Sequence, residues 1–337
     1  MSAPARFVVG TGRCGSTLLS RMLAMNGRVL NVFELFSGLE PDFRFERRAV
    51  SGAELAAQLR LDHPMLTMVM KRGGEVPEVV YPFENPAARH ALGDAVPWAL
   101  AIAIPRISDR PDALFDELIE RVEAAPTRPL AVHYREIFDW LAETHDRTAW
   151  IERSGTSIDF LSDLAAFFPD ARFVHIHRDG REAALSMREY AVLRVAVAVM
   201  NGLAGDIEYT HDELVRLERE DGATIDRLLE TRSPIELYGR YWSDQILNGA
   251  RARTTLPDER FLDVRFETLV TEPARVLTEI ADFFDLPRDD GTGRDAWIDR
   301  AAALSRGLPT LRAPALSGSE RERLDQACAE AMTTLGR

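Results

Sequence analysis

The sequence predicts an α/β fold of three layers, a mainly parallel central sheet between flanking helices. Two observations predict it. Short apolar runs rich in Val, Ile and Phe recur along the chain, and longer stretches with helical spacing separate them. A glycine-rich turn, GTGRCG, joins the first apolar run to the first helical stretch, as where a parallel strand hands over to a helix. Ligands of such a fold belong at the carboxyl ends of its strands.

In chain order the predicted strands are 6–9, 29–33, 66–70, 148–151, 172–177 and 261–266, each a short run dense in β-branched or aromatic residues. The predicted helices are 16–26, opened by Ser-Thr, then 52–60, 111–124, 135–145, 157–168, 181–200, 206–230, 235–252, 273–284 and 319–335. A Pro-rich region, 77–111, interrupts the alternation. One domain over 1–337 is expected, with residues 77–130 as a candidate lid or acceptor-binding insertion; an irregular surface connection explains the same composition.

Composition narrows the partners. The chain has 41 basic and 54 acidic residues in 337, a net charge of −13, so its average surface repels nucleic acid and any anionic ligand needs a local basic pocket. Its only cysteines, Cys14 and Cys328, make no disulfide framework. The first residues show no charged segment followed by an apolar core, and the apolar stretches 95–105 and 191–205 are too short or carry Arg194, so no membrane span is expected. The expected location is cytoplasmic. Nothing in the sequence sets the oligomeric state.

The segment VVGTGRCGSTLL carries chemistry. From Gly10 to Thr17 it fits a phosphate-binding loop, except that Ser16 stands where a nucleoside-triphosphate enzyme has lysine. Glycines permit close backbone approach, the helix start attracts an anion, and Ser16 and Thr17 add hydroxyls. The cation is instead Arg13, able to grip an oxyanion with two donors. A second segment, ARFVHIHRDGREAALSM, repeats the logic: an apolar strand, Arg178 at its end, and Ser186 about two turns into the following helix, a pair able to clasp one phosphate.

Together the two segments resemble the sulfotransferases that use 3′-phosphoadenosine 5′-phosphosulfate (PAPS), in a bacterial, P-loop-like branch. That family has a first-strand loop of the type G-x-x-[RK]-[SC]-G-[ST]-[ST] for the 5′-phosphosulfate and R-x7-S after a later strand for the 3′-phosphate; here these are GTGRCGST and RDGREAALS. The resemblance spans about residues 6–285. It implies that Gly12, Arg13, Cys14, Gly15, Ser16 and Thr17 bind the donor's 5′ end, with Arg13 also stabilising the transferred group, and that Arg178 and Ser186 bind the 3′-phosphate. DVRFETLV looks like a family strand end, with Phe266 where tyrosine is usual, as structural support. WIERSGTSI resembles the turn that brings a cation and a hydroxyl near the donor, which points to Arg153 and Ser154. The family's closing Gly-rich loop has no counterpart; SRGLPTLRAP would replace it through Arg306 and Arg312, or is a solvated linker.

The resemblance implies sulfuryl transfer to a hydroxyl, less often an amine, of a small-molecule or lipid-like acceptor, releasing adenosine 3′,5′-bisphosphate without a metal. For the base it favours Glu34 in NVFELFSGL, after the second strand; a structural pair with an arginine of FRFERR is the alternative. The histidine alternatives are His177, expected in the core, and His63, His90, His133, His145 and His211, which have no fixed relation to either loop. Lys71 and Arg72 are further candidate anion contacts. The apolar segments 98–104 and 195–200 would line an acceptor pocket or simply be core. Two other readings keep the loop: a lysine-less kinase or NTPase, for which no convincing Walker-B aspartate follows an apolar strand, and a noncatalytic nucleotide-binding module.

Overall fold

The structure is a computed structural model describing residues 4–203, 210–287 and 294–337. Five parallel strands, β1 (Arg6–Gly10), β2 (Val29–Phe33), β5 (Ala149–Arg153), β6 (Arg172–His177) and β7 (Phe261–Arg265), form a sheet in the order β2-β5-β1-β6-β7. A two-stranded ladder of β3 (Ala49–Val50) and β4 (Arg128–Pro129) lies apart from it. Alternate residues of the central strands enter opposite layers: Phe7, Val9, Trp150 and Phe173 join one apolar cluster, while Val8, Ile151, Val174 and Ile176 join another. Burial on both faces is what a parallel sheet between helices requires. The α/β, three-layer expectation holds.

Register places the functional edge. Phe33 pairs with Arg153, Gly10 with Ile176, and His177 with Arg265, so the strands finish together along one side of the sheet. The chain moves from β1 outward to β2 on one side and to β6 on the other. The crevice where the order reverses opens beside the loop that follows β1.

Several expected elements differ. The run at 66–70 is not a strand but part of the helix Pro64–Lys71; every residue from Pro64 to Met70 is buried, so the sequence carries no periodicity to separate helix from strand, and Pro64 at the first position favours the helix. The expected helix 181–200 is two, Gly180–Arg188 and Ala191–Met200, divided at an extended Tyr190. That over 206–230 is His211–Glu220 and Gly222–Glu230, parted where Asp221 caps the second; residues 206–209 lie outside the described residues. Phe266 begins the helix Phe266–Thr271 rather than ending β7. Among the described residues no helix is long and apolar enough to cross a membrane.

Candidate active site

The loop after β1 turns directly into the helix α1 (Ser16–Leu23). Gly15 caps it at φ 97°, in the left-handed region, and a Cβ there would lie 2.2 Å from Phe266 Cδ2, so glycine is required twice over. No side chain caps α1 and no acidic residue occupies its first turn. Its positive end is therefore left without a side-chain partner, as an anion site requires. The helix Gly180–Arg188 differs: the Asp179 carboxylate accepts from the amides of Arg181 and Glu182, so its start is already satisfied. There the positive charge on the cavity is that of the Arg178 side chain.

The two motifs meet. Arg13, itself at φ 60°, donates from Nε to Ser186 Oγ at 3.2 Å. Arg178 is buried, with its guanidinium 4.9 Å from the Phe266 ring centroid and 3.9 Å from Glu182. Burial pushes it below its usual value, while Glu182 opposes that shift. Phe266 thus touches both the α1 cap and Arg178, which fits the support expected of it.

Glu34 sits at φ 57° just past β2, its carboxylate largely buried. It accepts from Arg153 Nη1, from the Gly155 amide at 2.7 Å and from Ser37 Oγ at 2.6 Å. Arg153 also donates from Nη2 to Thr17 Oγ1 and lies over the Phe33 ring. One guanidinium therefore links the carboxylate after β2 to the phosphate-loop helix, and Glu34 does not pair with an arginine of 43–48.

A cavity of about 590 Å³ gathers these groups: Gly12, Arg13, Gly15, Ser16, Thr17, Glu34, Arg153, Arg178 and Ser186 all line it. Its other half is apolar, formed by Leu66, Trp98, Ile102, Val192, Leu193 and Ala196. From the two apolar segments expected there, Trp98, Ile102, Ala196 and Met200 reach the cavity, whereas Leu100, Val195 and Val197 pack in the core. Of residues 77–130, the cavity meets Pro77, Glu78, Trp98 and Ile102. The helix Pro111–Glu123 packs away from it, against Gly52–Leu59.

Six expected contacts are not part of the cavity lining. The Cys14 thiol is fully buried with Val8 and Leu19, and burial pushes its pKa up. Ser154 Oγ accepts from the Phe36 amide at 3.1 Å and donates to Glu152 at 2.5 Å, behind the cavity wall. Arg306 is exposed and outside the lining. Arg312 is also exposed, but its amide donates to Glu182 Oε1 at 2.8 Å, near Arg178. Lys71 and Arg72 are paired with Glu218, and Arg72 also with Asp226.

His177 lies against His175 with ring centroids 5.3 Å apart, outside this cavity. His63, by contrast, does line it, packed 4.8 Å from the Trp98 ring and pushed down to about 4 by burial, hence a neutral imidazole. Sequence reasoning missed Glu78 and Tyr190. The only signal for Glu78 was its place in the Pro-rich insertion.

A glycine turn after β1 that carries Arg13, sharing one cavity with Arg178 and Ser186 at the carboxyl edge of a parallel sheet, defines a P-loop-like fold. The profile of the Sulfotransferase family matches residues 4–227 and 227–290, and the chain belongs to that family. It is a sulfotransferase. Among solved structures it is similar to the sulfotransferase domain from the curacin biosynthetic pathway, with TM-score 0.52 and 17% identity over 98% of this chain and 99% of that one. It is also similar to a sulfotransferase from Mycobacterium avium, with TM-score 0.50 and 18% identity over 99% and 77%. No curated protein matches the sequence.

Proposed function

We propose that this sulfotransferase moves a sulfuryl group from PAPS to the hydroxyl of an uncharged acceptor with an apolar body. The observation that carries the reading is the pairing of two cationic cradles in one cavity, Arg13 with the uncapped α1 start and Arg178 with Ser186. A donor with phosphate on both sides of its ribose needs both. The residues fit it: α1 has no side-chain cap and no acidic residue in its first turn, and buried Arg178 has, among the described residues, one ion pair, at 3.9 Å to Glu182, beside its contact with the Phe266 ring.

In this reading Arg13 and the amides of Gly15, Ser16 and Thr17 hold the 5′ end, with Arg153 supporting Thr17. Arg178 and Ser186 hold the 3′-phosphate, and Arg312, docked beside them through Glu182, supplies a further positive charge. Sulfuryl transfer leaves the protein mostly positioning and charge stabilisation. As the acceptor oxygen forms its bond to sulfur and the sulfur–phosphate oxygen bond breaks, Glu34 takes the acceptor's proton. Arg13 and the α1 start neutralise the charge left on the departing bisphosphate.

The acceptor enters from the apolar half, where Trp98, Ile102 and Leu193 exclude water around the reacting hydroxyl. The test is mass spectrometry of acceptor pools incubated with enzyme and PAPS. A gain of one sulfo group, matched by bisphosphate release, is expected. Bisphosphate-binding protein that sulfates nothing across broad pools would favour a noncatalytic nucleotide-binding module.

A further inference from the structure

We infer that Glu78 is the resident counter-ion of Arg13, holding the place the donor's anionic group takes, so that donor binding displaces it. The inference rests on the donor assignment above. Glu78 Oε1 lies 3.6 Å from Arg13 Nη1, and Glu78 Oε2 accepts a 2.8 Å hydrogen bond from the Tyr190 hydroxyl. The Tyr190 ring in turn lies 5.1 Å from the Arg13 guanidinium carbon. A carboxylate, a phenol and the arginine of the first loop thus form one cluster in the lining of the cavity.

The cluster is built to be exchanged. The Arg13 and Glu78 side chains retain 34% and 16% of their exposure, and their 3.6 Å contact is an ion pair without a hydrogen bond. Such pairs are worth little, whereas a multiply charged donor also engages the α1 amides and Arg178. Glu78 is nevertheless kept in reach. Its own carbonyl accepts from Arg106 at 2.8 Å, and the Val80 amide bonds Ala101 O at 3.1 Å, fixing this part of the insertion to the turn that carries Ile102. Burial and the neighbouring Glu78 raise the Tyr190 pKa, so its hydroxyl stays protonated and goes on donating to Glu78 after Arg13 is lost.

Two consequences follow for the reaction. Arg13 is never left as an uncompensated cation between turnovers, and Glu78 competes for it against the spent bisphosphate. Glu78 is therefore a positioning residue that weakens product retention. It also leaves a second carboxylate facing the acceptor's entry, which disfavours anionic acceptors.

The experiment is calorimetric titration with adenosine 3′,5′-bisphosphate of the wild type, Glu78→Gln, Tyr190→Phe and Glu75→Gln, each with its thermal midpoint. Glu78→Gln is expected to bind roughly three- to tenfold more tightly. Tyr190→Phe keeps the ring beside Arg13 and removes only the tether, so it shifts the same way by less. Glu75→Gln, an exposed charge on the same segment, stays at the wild-type value. Unchanged or weaker binding by Glu78→Gln beside an intact wild type overturns the inference, as does equal tightening by Glu75→Gln, which would reduce it to net charge. Should Glu78→Gln not fold, Tyr190→Phe decides alone: tighter binding supports the displaced counter-ion and unchanged binding overturns it. A wild type that binds no bisphosphate removes the donor assignment itself, and this inference with it.

Discussion

Arg13 and Ser186 stand 173 residues apart in the chain and are joined by a 3.2 Å hydrogen bond from the guanidinium Nε to the hydroxyl oxygen. Each was read from the sequence as part of a separate anion site. Their contact brings the two motifs together in the lining of one cavity.

Arg178 gives the first prediction. Its guanidinium is buried and lines the cavity together with Ser186. Arg178→Ala should weaken bisphosphate binding about tenfold to a hundredfold, and Ser186→Ala by several-fold only, in line with charged against neutral hydrogen bonds. Isothermal calorimetry on both variants checks the ranking.

Glu34 should separate binding from chemistry. Replacing it by glutamine keeps the shape but removes the proton acceptor, so turnover should fall by about 10²- to 10⁴-fold while bisphosphate binding stays within a few-fold. The variant also loses stability, because buried Arg153 then faces a neutral amide. Rates must therefore be compared well below its thermal midpoint; full activity there would remove Glu34 as the base.

The loop glycines are unequal. Alanine at Gly15 would adopt φ 97° and press on Phe266, whereas alanine at Gly12 would meet side-chain methyls alone, Leu193 at 3.3 Å, Met187 at 3.6 Å and Thr156 at 3.8 Å. Gly15→Ala should cost about 1–3 kcal/mol of unfolding free energy. Gly12→Ala should cost less. Urea unfolding of the pair measures the difference.

Buried Glu152 predicts a pH dependence. Burial is the main cause that pushes its carboxyl up to about 8, so it is neutral in the fold and ionises readily only when the chain unfolds. Its contribution is fully present below the unfolded value near 4.3 and is lost as pH rises towards about 8, on the order of a few kcal/mol. Glu152→Gln keeps an oxygen for Ser154 and abolishes that titration. The variant should be flatter in stability between pH 5 and 8 and more stable than wild type at pH 8; parallel profiles would contradict this.

Much of the candidate site's lining was legible because its parts are local. A strand, a glycine turn and a helix start are contiguous in sequence, and so are Arg178 and Ser186 on one strand–helix unit. Residues whose roles depend on distant packing were not. Cys14 alternates away from the cavity into the core, and Ser154 is taken up by Glu152 and the Phe36 amide. His63 reaches the cavity because the helix Pro64–Lys71, mistaken for a strand, brings its preceding turn against Trp98. The Arg13–Glu78 pair joins the first loop to an insertion whose path no periodicity describes.

The most direct test of the account is competitive titration of the wild-type protein with adenosine 3′,5′-bisphosphate and with ATP plus magnesium. Saturable binding of the bisphosphate that Arg178→Ala weakens is expected, with little or no binding of ATP with magnesium. Tight binding of ATP with magnesium and none of the bisphosphate would contradict it.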